Sequence, residues 1–146
     1  MHFLALLILC LAVHTGTAQA ETVVAGFIKT IEGSGLILRA DTSTPARVGD
    51  VLHVSDAVVT QERSTMGIML EDDTLLSMGP DSRLELKDFA FAPQEEKLAV
   101  VIRLLKGSFA YMSGVIARLA PEKVRIETPD AVIAVYGTRF LVKVEE

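Results

Sequence analysis

Ile126–Glu146, IETPDAVIAVYGTRFLVKVEE, reads as strand, turn, strand, turn, strand. The turns are Thr128-Pro129-Asp130 and Gly137-Thr138-Arg139. Successive side chains on a strand alternate in direction, so Phe140, Val142 and Val144 share one face. Pro129 starts a turn and cannot donate to a sheet ladder. Gly137, between Tyr136 and Thr138, marks a bend, a bulge or a close approach of another backbone. Close approach of a ligand is the competing reading.

The same grammar runs upstream. Val23 to Thr30 is a first strand and Leu36 to Ala40 a second, with Glu32-Gly33-Ser34-Gly35 between them as a hairpin turn. Thr42 to Pro45 is a polar loop. Val51 to Thr60 and Met66 to Leu70 continue the strands, Glu71-Asp72-Asp73-Thr74 turns, and Leu75 to Met78 returns. After the turn Gly79-Pro80-Asp81-Ser82, Arg83 to Lys87 alternates with Leu84 and Leu86 on one face. Lys97 to Lys106 and Ser108 to Met112 join across Gly107. Lys123 to Glu127 alternates with Val124 and Ile126 inward. Only Val115 to Ala120 breaks the pattern, as a short helical turn stopped at Pro121. Short strands with turns every 8–12 residues predict an all-β domain. The expected architecture is a compact sandwich or roll of mainly antiparallel strands, with an irregular β-solenoid as the alternative.

Half of the 146 residues are hydrophobic, enough for one domain with its own core. Met1 to Ala20 carries no charge, has an apolar run from Phe3 to Val13 and ends in Ala18-Gln19-Ala20. That is the pattern of a cleavable secretory signal peptide, with an uncleaved anchor as the alternative, and the run is short for a membrane span. Cys10, the only cysteine, lies inside it, so residues 21–146 form a single exported domain held by its core alone. Such a domain suits a bacterial periplasm, with no stable membrane insertion once the signal is removed. A formal net charge of −5 argues against nucleic acid as a partner.

The residue types that carry chemistry do not converge. His53 is the single histidine of the mature chain, and with no cysteine it cannot build a nitrogen/sulfur zinc site. The alternation of Val51 to Val54 points it towards solvent. Glu71-Asp72-Asp73 is the densest acidic cluster, but it lies where a hairpin reverses and lacks the spaced ligands of a calcium loop. No G-x-S-x-G nucleophile elbow occurs. No catalytic residue, cofactor site or metal site is expected.

Taken together, the punctuation resembles the FecR domain family. The matching elements are Val48-Gly49-Asp50, Asp56 to Thr60, Asp72-Asp73-Thr74, Met78 to Leu84, Leu104 to Gly107 and Thr128 to Phe140, within residues 46–144. Two positions depart from the family pattern. Asp73 stands where the hairpin usually has glycine, which points to a different turn type. Tyr136 stands where many members carry arginine before Gly-Thr. The resemblance implies a periplasmic, non-enzymatic, all-β module for protein interaction or envelope sensing and signal transduction. Its expected partner is another envelope protein, and the chain looks like a free-standing domain of this family. Asp72, Asp73, Thr128, Pro129, Tyr136, Gly137, Thr138 and Phe140 are the candidate interaction or family-motif residues. The strand edges expected to take a partner are Val23–Thr30 and Phe140–Val144. A module binding an envelope ligand or wall polymer is the alternative, and a carboxylate hydrolase the remote one.

Overall fold

The computed structural model describes residue 16 and residues 22–145. The signal-peptide reading of residues 1–20, Cys10 included, falls outside the described residues apart from Gly16. Lys97–Met112 forms one strand of 16 residues, β9, and the fold is organised along it. Val100, Ile102 and Leu104 are buried on even positions, whereas Phe109 and Tyr111 are buried on odd ones. The alternation therefore changes phase between Leu104 and Phe109. One extra residue sits there, because Leu84 faces Leu104 while Arg83 faces Lys106. Gly107 follows with φ +83°, a backbone that side-chain-bearing residues rarely adopt. A bulge of this kind bends a strand and re-aims its side chains. The two halves of β9 consequently belong to two diverging parts of one curled sheet.

The chain runs along one side of β9 as β7 (Leu75–Met78) and β8 (Arg83–Ala92), both antiparallel to it. Beyond β8 lie β5 (Ala57–Thr60), β2 (Gly35–Arg39) and β3 (Thr42–Pro45). Beyond β7 lie β6 (Thr65–Leu70), β1 (Val24–Glu32) and β4 (Val51–His53). On the other side of β9, β10 (Val124–Glu127) pairs in parallel with Val100–Arg103, and β11 (Val132–Ala134) folds back onto β10. The last strand, β12 (Arg139–Val144), pairs antiparallel with Gly107–Met112. One short helix, α1 (Val115–Leu119), connects β9 towards β10 through a turn at Pro121–Lys123. The all-β class, the mainly antiparallel pairing and the helical turn near 115–120 are as the sequence predicts. The architecture is a curled half-barrel sheet.

Its two arms are tied across the curl. Arg39 of β2 donates from Nη2 to the Val51 carbonyl of β4 at 3.1 Å. The same guanidinium grips Asp56 through Nε and Nη2 at 2.9 and 2.7 Å. Asp56 is only 1% exposed, and its carboxylate holds Arg39 more firmly protonated than usual. The curl encloses one apolar cluster that includes Ile28, Leu52, Ile68, Leu76, Leu84, Ile102 and Phe109. Its non-directional burial drives the closure.

Several local expectations are corrected. Glu32 to Gly35 does not make a hairpin: β1 pairs with β6 and β4, whereas β2 pairs with β5 and β3. Ser64 holds that crossing, accepting a hydrogen bond from the Ser34 amide at 2.9 Å. Thr42 to Pro45 is a strand although all four residues are exposed, because ladder bonds to β2 rather than burial define it. Val51 to Thr60 is two strands. The Asp56 carboxylate accepts the His53 amide at 2.8 Å and Ser55 takes φ +77°, which turns the chain. His53 does not face open solvent. Its side chain is largely covered and its Nδ1 lies 3.9 Å from Asp56 Oδ2. Finally, β1 lies between β6 and β4, so Val23–Thr30 is no edge.

Candidate functional site

The closing stretch gathers most of the residues singled out in the sequence. Thr128 closes the β10–β11 turn on itself. Its amide donates to the Ala131 carbonyl at 2.9 Å, and its Oγ1 accepts the Ala131 amide at 3.1 Å. Pro129 lies exposed at the tip of that turn. Phe140 stacks on Tyr111 of β9, with ring centroids 4.7 Å apart and planes 20° from parallel. Offset aromatic pairs of this kind add about 0.5–1.5 kcal/mol beyond burial. Tyr111 is fully buried, and desolvation pushes its hydroxyl pKa up.

Between β11 and β12 the chain crosses as Val135–Thr138. Ser113, just past β9, anchors this crossing: its Oγ donates to the Gly137 carbonyl at 2.8 Å and its amide to the Thr138 carbonyl at 2.9 Å. Gly137 has φ +132°, and a β-carbon there would meet no atom within 4 Å. The glycine thus serves a backbone conformation and not a close approach. Gly137→Val is expected to lower stability by about 1–2 kcal/mol through strain alone. Urea unfolding reads this, and a loss within error would remove the strain assignment.

Tyr136, beside Gly137, is 85% exposed. It stands on the rim of a groove of about 460 Å³ lined by Ile133–Tyr136 on one side and Phe140–Lys143 on the other. Val132 and Leu141 flank it, 66% and 71% exposed. Among the described residues, β11 pairs only with β10 and β12 only with β9, so both strands keep one unbonded edge. Free edges beside exposed apolar side chains are a template for another chain.

Asp72 and Asp73 part company. Asp72 is 1% exposed and points into the fold. Its Oδ1 accepts the Thr74 amide at 3.1 Å and its Oδ2 the Ile116 amide at 3.0 Å. It therefore fixes both its own turn and the first residues of α1. Asp73 is exposed with φ +68°, the conformation a glycine would take. Asp73 thus holds the backbone conformation that glycine favours in a turn. The two carboxylates diverge, and no group of three or more His, Cys, Asp or Glu side chains comes together among the described residues.

One charged cluster escaped the sequence reading. Glu127 of β10 accepts Lys87 Nζ of β8 at 3.1 Å and Arg103 Nη2 of β9 at 3.1 Å, and Arg125 Nη2 lies 3.2 Å from its other oxygen. The hydrogen bond from Lys87, reinforced by Arg103, holds the Glu127 carboxyl below the usual glutamate value. A depressed carboxyl stabilises the fold fully above its unfolded pKa, and this contribution fades as pH falls through the folded value. The melting temperature of Glu127→Gln should therefore lie below the parent's at neutral pH. The gap should close on acidification below the ordinary glutamate range. A gap that persists unchanged into strong acid would contradict this assignment.

The fold and this site define an all-β module with open strand edges along an apolar groove. A protein-family model described as FecR protein matches residues 56–146, more than half of the chain, and the chain belongs to that family. The family is one of signalling regulators and is not known for enzymatic activity. Neither the curated proteins nor the solved structures compared give a match.

Proposed function

We propose that this chain is a non-enzymatic module of the bacterial cell envelope. It works in the periplasm by binding another envelope protein, as part of sensing or signal transduction. The apolar run and Ala-x-Ala site of residues 1–20 support export through a cleavable signal, after which residues 21–146 act as one FecR-like domain. One observation carries the reading: two unbonded strand edges meet an apolar groove beside Tyr136, the position where the chain leaves the family pattern. Strand addition uses such edges, with backbone bonds giving affinity and side-chain pockets giving selectivity.

The test is site-specific photocrosslinking in living cells. A photoreactive residue replacing Tyr136 or Leu141 should form a discrete adduct with an envelope protein, while the same residue replacing Glu62, on the exposed β5–β6 turn, should not. Equal adducts at all three positions, or none at Tyr136 and Leu141, would overturn the proposal.

A further inference from the structure

The groove also specifies the chemistry of what enters it, if it is the interface proposed above. We infer that the partner enters as an extended segment with three apolar residues flanked on each side by an acidic one.

The first ground is the pattern of β12. Its exposed side chains are Arg139, Leu141 and Lys143, whereas Phe140, Val142 and Val144 turn inward. The outer row is therefore basic, apolar, basic, on a protein whose formal net charge is −5. Among the described residues Arg139 has no ion pair. Among those residues Lys143 meets Glu145 alone, at 3.3 Å and with both side chains largely exposed, a pair worth little. These two cations are available to a neighbour.

The second ground is register. A strand added along β12 places one residue opposite each of Arg139 to Lys143, with side chains on matching faces. Those opposite Arg139 and Lys143 meet a cation, which calls for aspartate or glutamate. The one opposite Leu141 meets an exposed aliphatic surface. The two between them, opposite Phe140 and Val142, turn towards the wall formed by Ile133 and Val135. All three central positions are thus apolar.

The same row disfavours a second copy of the chain. Antiparallel pairing of two β12 strands that buries Leu141 against its copy sets Arg139 opposite Lys143 twice. Like charges directly opposite each other destabilise a ladder. Basic residues on an edge are a known protection against self-pairing, and here they leave the edge open to an acidic strand.

Two soluble peptides with Gly-Ser flanks test this on the full-length mature protein, one with the core Glu-Val-Val-Val-Glu and one with Lys-Val-Val-Val-Lys. Fluorescence anisotropy at low salt should show the glutamate peptide binding about three- to tenfold tighter, and the advantage should shrink as salt rises. Amide shifts on binding should centre on Arg139–Val144. The double variant Arg139→Glu/Lys143→Glu should reverse the order of the peptides. Equal binding, no binding of either peptide, or a preference for the lysine core would overturn the inference. So would a dimer in sedimentation that Leu141→Asp dissolves, since a second copy would then hold the edge. Successful crosslinking at Tyr136 combined with equal peptide binding would sink the acidic segment and leave the interface standing. Failure of both would sink both.

Discussion

Gly107→Ala should cost about 3 kcal/mol of stability, a large share of the roughly 5–15 kcal/mol that holds a domain. Two independent effects add. The backbone at Gly107 has φ +83°, where a residue with a β-carbon is strained by about 1 kcal/mol or more. That β-carbon would also lie 2.1 Å from Ser82 Oγ and 2.6 Å from Ser82 Cα, closer than atoms can pack. Relief requires pushing the β7–β8 turn away from β9, and crowding of this kind costs about 1–3 kcal/mol. The movement would loosen a buried polar knot. Ser82 Oγ accepts the Ser108 amide at 2.9 Å, and the Ser82 amide donates to Thr60 Oγ1 at 3.0 Å. Thr60 Oγ1 in turn donates to the Gly79 carbonyl at 2.6 Å. The knot stands where the two halves of the sheet diverge, so the bend of β9 and its fastening fail together. Urea unfolding with a double-mutant cycle separates the effects. Ser82→Gly in the Gly107→Ala background should recover the part of the crowding that comes from the Ser82 side chain, and leave the contact with Ser82 Cα and the strain. A Gly107→Ala loss below about 0.5 kcal/mol, the range of ordinary surface changes, would show that the bend does not depend on this glycine.

The alternations that build the core were legible in the sequence. Leu84 with Leu86, Val124 with Ile126, and Phe140 with Val142 and Val144 lie inward as their period of two requires. The helical turn before Pro121 was legible too. The partners of each strand were not. β1 and β2 follow each other across a glycine turn and yet join different parts of the sheet, because pairing is settled by long-range burial and not by the local turn. β3 was hidden because ladder bonds leave no hydrophobic trace. The phase change at Gly107 was hidden because one bulged residue reverses which positions face inward. Glu127 was hidden because Lys87 and Arg103 come from two other strands. The candidate site divides in the same way. Tyr136 and Gly137 could be picked out from their residue types and their place in the closing motif. The free edge of β12 was expected from the sequence, whereas that of β11 depends on what lies beside it, which only the assembled sheet shows.

Asp72→Ala should lower stability by about 2–4 kcal/mol, and Asp73→Gly, one residue on, should not lower it at all. The two aspartates look alike in the sequence, and their surroundings set them apart. Asp72 is 1% exposed and accepts the amides of Thr74 and Ile116. Removing its carboxylate orphans two buried donors, at about 1–3 kcal/mol each before any rearrangement. Water cannot easily replace it. A β-carbon on Gly114 would already lie 2.3 Å from the Asp72 carbonyl and 2.4 Å from the Thr74 amide, so the two segments are in backbone contact. The Asp72 carbonyl also accepts the Val115 amide at 2.7 Å, so Asp72 holds the start of α1 by side chain and main chain. Asp72→Asn keeps one acceptor oxygen but turns an N–H donor towards the other amide, and should lose about half as much. Asp73→Gly relieves a positive φ at an exposed turn, against a more flexible unfolded chain, and should leave stability unchanged or raise it by at most about 1 kcal/mol. Urea unfolding reads the totals, and hydrogen exchange localises them. The Ile116 amide should lose protection in Asp72→Ala well before the β9 amides do. Uniform loss of protection would mean that α1 unfolds only with the whole sheet. A stable Asp72→Ala protein that no longer captured its partner would move Asp72 from the frame of the fold to its working surface.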